Sequence, residues 1–207
     1  IIENKPEYTV IGIDNLFGGY VENVHEKVIF YKRELATDPL NDIFSKYDID
    51  YFRVDTVKHV DDTTWKAFKN ALTYIDPDFK MIGEYAGAGY ATSAGQLGTG
   101  QMDSLLDFDF NDKALAFVNG DISSVESFME SRNTGIDNTA TVGSFLGSHD
   151  EDGLMYRMIN ESGKFGKEKA YDLMKVAATL QITAKGQPVI YYGEELGQTG
   201  ANNWPYQ

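Results

Sequence analysis

The chain has no cysteine among its 207 residues. Disulfide bonds, thiolate nucleophiles and cysteine-bound metal ions are therefore excluded. Basic residues are scarce as well, with 18 lysines and arginines against 32 acidic residues and a net charge of −14. This charge is unsuited to nucleic acid or to an anionic membrane surface, and it is compatible with a neutral ligand.

Long apolar runs are also missing. No segment approaches the roughly 20 apolar residues of a membrane span, and the chain opens at Ile1 without methionine or a basic-then-apolar leader. We therefore expect the gene product to begin upstream of this residue. The composition that remains is that of a globular protein, with 42% hydrophobic residues, and its 13% aromatic content suits a ligand with flat apolar faces, such as a sugar.

Three acidic residues each follow a short apolar run. They are Asp55 after residues 51–54, Glu84 after residues 81–83, and Asp150 after residues 145–149. Such runs, bounded by turn residues, indicate buried strands, and the helical stretches between them predict parallel neighbours in one sheet. Ligands bind at the carboxyl edge of these sheets. We therefore expect the three acids to converge there, despite the repulsion between like charges.

The pattern after residue 48 predicts a repeating order of strands and helices. Apolar runs predict strands at residues 50–55, 80–84, 105–110, 141–146 and 188–192, and helical spacing predicts helices near 62–75, 124–132 and 167–185. A closed eight-stranded barrel takes about 250 residues. Five strands therefore predict part of a barrel in an α/β fold.

The first 44 residues form an unassigned segment in this interpretation, and residues 45–207 form the carboxyl-terminal part of the barrel domain. Within the first part, residues 8–13 predict a strand, whereas residues 26–35 and 39–47 look helical. One strand and two helices do not supply three strand–helix units. The glycine-rich stretch of residues 87–100 predicts a mobile loop after Glu84.

The chemistry of acetal cleavage assigns different tasks to the acids. One carboxylic acid must protonate the leaving oxygen, and one carboxylate must attack or stabilise the anomeric carbon. Arg53 lies on the same strand face as Asp55, because side chains alternate with period two, and its charge would keep Asp55 ionised. The apolar neighbours of Glu84 would favour its protonated form, which suits a proton donor. His149 and Asp150 form a pair able to hold sugar hydroxyls.

Structural roles compete with these interpretations. Any one of the acids could be an ordinary strand-end residue or a helix cap, and Arg53 with Asp55 could be only an ion pair. For Asp107 and Asp109, which also end an apolar run, we favour solvent or structural roles. His25 is expected on a helical surface, whereas His59 and His149 stand close to strand-end acids.

At this point the residues resemble a known family. The segment Phe52–His59 resembles the nucleophile region on strand four of the α-amylase family of retaining α-glucosidases, and Ile82–Glu84 resembles the acid/base region on strand five. Ser148–Asp150 is similar to the region on strand seven that stabilises the transition state, and Gly186–Glu195 to the strand-eight signature. Residues 50–60 and 139–153 look most like amylopullulanases and α-amylases of lactic-acid bacteria.

The resemblance implies a fold and a set of roles. The fold is a partial (β/α)8 TIM barrel, with strands four to eight present. Asp55 would be the nucleophile, Glu84 the acid/base, and Asp150 would bind the distorted sugar. The resemblance further implies substrate-binding roles, listed as Arg53, Lys58, His59, Tyr85 and His149.

The resemblance also implies the substrate and its cleavage. The partner would be an α-glucan such as starch, maltodextrin or pullulan, hydrolysed with retention, with no nucleic acid and no membrane involved. Two alternatives stay open: an inactive α-glucan-binding protein, and a transglycosylase with the same covalent intermediate. No cofactor is required. A structural calcium ion is in doubt, because Asp14-Asn15 lacks the spacing and the histidine of the family's strand-three motif. A secreted or cell-surface bacterial location is expected, with the cytoplasm as the alternative.

Overall fold

The computed structural model describes residues 9–17, 19–34, 37–91, 102–136, 138, 142–161 and 165–201. The strands are β1 (Ile11–Asp14), β2 (Ile29–Lys32), β3 (Tyr51–Val54), β4 (Lys80–Gly83), β5 (Ser104–Asp107), β6 (Val142–Phe145) and β7 (Gln187–Val189). The helices are α1 (Asn41–Tyr47), α2 (Asp62–Ile75), α3 (Phe108–Val118), α4 (Ile122–Gly135), α5 (Leu154–Tyr156) and α6 (Lys167–Thr183). A π-helical turn, Arg157–Glu161, continues α5.

The principal sheet consists of five parallel strands in the order β3-β4-β5-β6-β7. Its strand order follows the chain order, as in a barrel wall, and helices form the crossovers from β3 to β4, from β5 to β6 and from β6 to β7. This arrangement confirms the predicted part of a (β/α)8 barrel.

The sheet is strongly curved. The side chain of Tyr51 on β3 donates a hydrogen bond to Gln187 Oε1 on β7, over 3.3 Å. Four strand spacings of about 4.8 Å would separate these two strands by about 19 Å in a flat sheet. The contact therefore requires the wall to bend until its first and last strands approach each other at the amino edge.

Two apolar layers cover the sheet. Between the sheet and the first helices, Phe52 and Phe79 lie 5.0 Å apart, centroid to centroid, within a cluster that also contains Phe44, Leu72 and Met81. The inner face carries a smaller cluster, listed as Ile82, Leu106 and Phe145 with Phe108 and Val189 packed against it. Side chains alternate between the two faces with period two, so Arg53 and Asp55 share the inner face with Ile82.

The helix α2 shows how local sequence sets a crossover. Asp61 caps its amino end, accepting a hydrogen bond from the backbone N–H of Thr64 over 3.0 Å. Trp65, Phe68 and Leu72 then recur at helical spacing and pack toward the core. The helix ends at Ile75, before Asp76.

Several sequence expectations need correction. Residues 29–32 form β2 and pair in parallel with β1, so the helix predicted over residues 26–35 is wrong. His25 consequently lies in a loop, where its Nδ1 accepts a hydrogen bond from the backbone N–H of Lys27. The strand predicted over residues 105–110 ends at Asp107, and Phe108 begins α3. The last strand is Gln187–Val189 rather than residues 188–192.

The remaining sequence predictions concern a loop, membrane-spanning helices, the location of the protein and the division of the chain. The predicted loop at residues 87–100 falls largely outside the described residues. Among those that are described, no helix is long and apolar enough to cross a membrane. The expected secreted or cell-surface location and the division of the chain at residue 45 stay predictions.

Candidate active site

The first two acids lie side by side at the carboxyl edge of the sheet. Val54 on β3 is in register with Gly83 on β4, so Asp55 and Glu84 each come one step later on adjacent strands. The backbone N–H of Glu84 donates to the carbonyl of Val54 over 2.7 Å, which extends the ladder to the position of Glu84. Asp55 and Glu84 therefore lie at the same height along the two adjacent strands, at the carboxyl edge of the sheet.

Arg53 reaches Asp55 on the same face. Its Nη1 contacts Asp55 Oδ1 in an ion pair whose side chains are 38% and 60% exposed. Exposed pairs of this kind contribute little to stability. The contact instead fixes the carboxylate direction and places a positive charge beside it, as the alternation of side chains predicted.

A backbone donor holds Glu84. The N–H of Thr56 donates to Glu84 Oε2 over 3.0 Å, and the N–H of Val57 donates to the Glu84 carbonyl over 2.9 Å. Thr56 has φ 51°, in the left-handed region. The turn after Asp55 is thereby joined to the residue that ends the next strand.

Asp150 and His149 follow β6 at the same sheet edge. His149 Nε2 lies 3.0 Å from Asp150 Oδ2, and both side chains are at least half exposed. The loop is shaped by Ser148, whose Oγ accepts hydrogen bonds from the backbone N–H groups of Asp150 and Glu151, each over 3.1 Å. β5 separates β6 from β4 in the sheet, so the pair follows a strand two positions from the one before Glu84.

The remaining predicted residues surround this edge. Lys58 and His59 lie in the 3-10 turn Val57–His59 directly after Asp55, and Lys58 Nζ donates to the carbonyl of Ala86 over 3.5 Å. Tyr85 is half-buried and packs in part against the apolar cluster beneath α2. Apart from Arg53, which lies on β3, the predicted site residues thus lie on the loops after β3, β4 and β6.

Glu194 is a partly buried acid whose raised pKa was not predicted from the sequence. Burial raises its pKa to about 7, although a hydrogen bond from the backbone N–H of Tyr191 to its Oε2, over 3.2 Å, opposes the shift. Its Oε1 is buried and has no hydrogen-bond partner among the described residues. The sequence Gly193-Glu194-Glu195 does not indicate which glutamate is buried, and its second glutamate, Glu195, is exposed.

Asp107 has a structural role, as favoured from the sequence. It is fully buried, and its Oδ2 accepts a hydrogen bond from Arg132 Nε over 2.8 Å. Burial raises the pKa of Asp107, and the charge of Arg132 opposes that effect. Asp109, in contrast, is exposed in the first turn of α3.

A metal site can be examined only in the described part of the chain. There, no group of three or more histidine, aspartate or glutamate side chains is arranged to hold a metal ion. The dependence on calcium stays a prediction.

Comparison with known proteins gives a consistent result. A model of the alpha amylase catalytic domain matches residues 31–205. An alpha-amylase of Streptomyces lividans is 33% identical over 165 residues, covering 75% of this chain and 18% of the relative. A cyclomaltodextrinase of Geobacillus thermopakistaniensis is 26% identical over 190 residues, covering 88% and 29%.

The fold is also found among solved structures. The alpha-amylase of Geobacillus thermoleovorans, complexed with acarbose, superposes with a TM-score of 0.64 at 22% identity, covering 81% of this chain and 39% of that one. This likeness concerns the fold. The chain spans less than a third of the length of the two curated relatives.

Proposed function

The chain belongs to the α-amylase catalytic-domain family, and from that membership we propose that it hydrolyses α-glucosidic bonds in α-glucans by a retaining double displacement. The observation that carries the proposal is the juxtaposition of Asp55 and Glu84 on adjacent strands, with the Thr56 N–H bound to the Glu84 carboxylate. A pair of carboxyl groups flanking one bond is what retaining hydrolysis requires.

The first step forms a covalent intermediate. The Asp55 carboxylate attacks the anomeric carbon while the bond to the glycosidic oxygen breaks, and Glu84 gives its proton to that oxygen. Arg53 orients the Asp55 carboxylate, because its guanidinium contacts Oδ1. In the second step, water attacks the same carbon, Glu84 takes the proton, and the bond to Asp55 breaks. Two inversions give net retention.

Asp150 and His149 complete the proposed site. They present a carboxylate and an imidazole at the same sheet edge, and both groups suit hydrogen bonds to sugar hydroxyls. Contacts that strengthen as the ring distorts lower the barrier rather than the substrate affinity. Lys58, His59 and Tyr85 are proposed to line the leaving-group side. The acarbose complex of the Geobacillus alpha-amylase supports an oligosaccharide as substrate.

The test is hydrolysis of maltoheptaose and pullulan by the 207-residue chain and, in parallel, by the complete gene product. Proton NMR of the first product identifies the anomer, which is expected to be α. Asp55→Asn and Glu84→Gln are expected to lower kcat by at least about 100-fold, because each removes a group that acts on the reacting atoms.

The matched control is Asp78→Asn, an exposed carboxylate before β4 at the opposite edge of the sheet, which should leave kcat unchanged. A β-anomeric product, or full turnover by Asp55→Asn, would reject the mechanism. If neither protein releases reducing sugar, hydrolysis is rejected, and calorimetric titration with acarbose then tests for an α-glucan-binding protein.

A further inference from the structure

Thr56 has a conformation that its side chain disfavours. Its φ of 51° lies in the left-handed region, where β-branched residues are rare. Backbone conformations of this kind persist only where surrounding contacts hold them, and they are frequent at functional sites. Thr56 directly follows Asp55, so the strained residue stands between the two proposed catalytic acids.

The left-handed conformation of Thr56 directs its backbone N–H toward the Glu84 carboxylate. In an extended chain the N–H at residue 56 would continue the strand ladder, whereas here it donates to Glu84 Oε2 over 3.0 Å. Two further hydrogen bonds fix the backbone of the same glutamate, from its N–H to Val54 and from Val57 to its carbonyl. Both the main chain and one carboxylate oxygen of Glu84 are thus held by the segment that carries Asp55.

The turn that carries the donor is itself anchored. Trp65 Nε1 donates to the carbonyl of Val57 over 2.9 Å, and the Val57 side chain is buried in the core. The N–H of His59 donates to the carbonyl of Thr56 over 2.9 Å. These contacts explain how the turn keeps its unfavourable φ and why the donor direction is fixed.

We propose that Thr56 is a positioning residue that acts through Glu84, an inference that rests on the proposed function. An N–H bound to Oε2 disfavours a proton on that oxygen, so the transferable proton is carried by Oε1. The donor therefore selects which oxygen delivers the proton to the glycosidic oxygen, and it keeps the carboxyl plane fixed relative to Asp55. A carboxyl group free to rotate would present either oxygen and lose this alignment.

The test removes the donor and keeps the side chain. The amide before Thr56 is replaced by an ester, by incorporating the α-hydroxy analogue of threonine at residue 56. The matched control places an ester at Val57, where the lost N–H serves the Glu84 backbone carbonyl instead of its carboxylate. Thr56→Gly, which keeps the N–H and tolerates a positive φ, is the second control.

The readout is the dependence of kcat/KM on the leaving group. Hydrolysis of maltoheptaose needs proton donation, whereas α-maltotriosyl fluoride departs with little acid assistance. The ester at Thr56 is expected to lower kcat/KM for maltoheptaose by about tenfold or more, a part of the roughly 100- to 10,000-fold that general acid catalysis contributes, and to change the fluoride reaction far less. The Val57 ester and Thr56→Gly should affect both substrates equally.

Equal losses on the two substrates with the ester at Thr56 would overturn the inference while leaving the hydrolase intact. A second readout does not need turnover: the amide proton resonance of Thr56 should move several times more in Glu84→Gln than in Glu151→Gln, a glutamate on the loop after β6. An unmoved resonance overturns the contact. Inactive wild-type protein overturns the proposed hydrolysis and with it the role of Thr56.

Discussion

The buried ion pair between Arg132 and Asp107 is expected to dominate the stability of the second half of the sheet. Both side chains are fully buried. Arg132 also donates from Nη2 to Ser144 Oγ over 2.8 Å and from Nη1 to the carbonyl of Lys185. One guanidinium on α4 therefore bonds to β5, to β6 and to the segment before β7.

The perturbation is Arg132→Met, which keeps much of the side-chain volume and removes the charge. Asp107 would remain buried without a counterion, and its Oδ1 already has no partner among the described residues. Removing one member of a buried pair costs about 3–5 kcal/mol. For a chain of this size, that loss corresponds to a thermal midpoint lower by about 6–20 °C.

The assay is urea unfolding at pH 7, followed by circular dichroism. The control is Arg33→Met, whose partner Asp42 is 3.6 Å away on the surface, and whose loss should cost less than about 1 kcal/mol. The double variant Arg132→Met with Asp107→Leu should recover most of the loss, because a buried pair replaced as a whole costs little.

The effect of pH provides an internal check. Without Arg132, the pKa of Asp107 in the folded state rises further, because the main influence that opposes burial is then lost. The folded variant binds a proton that the unfolded chain releases, so its stability falls as pH rises above the ordinary aspartate range. The loss should therefore be smaller at pH 5 than at pH 7. A loss equal to that of Arg33→Met at both values would refute the reasoning.

Two further predictions concern Glu194, which follows β7, and Gly83, the last residue of β4. Since burial raises the pKa of Glu194 to about 7, the folded state binds more protons than the unfolded state between about pH 4.5 and 7, and stability falls across that window. Glu194→Gln should flatten this part of the urea-unfolding profile; an unchanged slope would contradict it. Gly83→Ala should cost about 1–3 kcal/mol, because a Cβ there would lie 2.7 Å from Val57 and 2.8 Å from Leu105. Gly166→Ala, with open space around it, should not.

The strand-end acids were predictable because their signal is local. Each of Asp55, Glu84 and Asp150 follows an apolar run short enough to be a buried strand, and parallel connection places all such ends at one edge. The ion pair of Arg53 with Asp55 could be predicted because side chains of a strand alternate between its two faces with a period of two residues. Positions that depend only on strand periodicity and chain order could therefore be predicted from the sequence.

Errors arose where a distant partner decides the structure. The side chains of Ile29, Phe30 and Tyr31 suit a strand as well as a helix. These residues form a strand because they pair with β1. Phe108 and Phe110 alternate with aspartates as in a strand, yet the spacing of Phe110 and Ala114 also fits the buried face of α3. Local periodicity could not separate these alternatives.

Two features of the structure had no local signal in the sequence. Threonine favours extended backbone, so the left-handed turn at Thr56 contradicts its propensity, and contacts with distant residues such as Glu84 and Trp65 account for it. Arg132 lies in α4, a largely exposed helix, where an arginine is ordinarily exposed. Its burial depends on Asp107, 25 residues away. Residues that break a local rule are expected at strained or functional places.

The two features involve different strands of the sheet and constrain different acids. The Thr56 turn couples β3 to β4 and so fixes Asp55 relative to Glu84. The Arg132 network binds the other half of the sheet, including β6, from which Asp150 follows. Curvature joins the halves, since Tyr51 and Gln187 meet at the amino edge. A change confined to the Arg132 network should therefore displace Asp150 before it alters the Asp55–Glu84 pair.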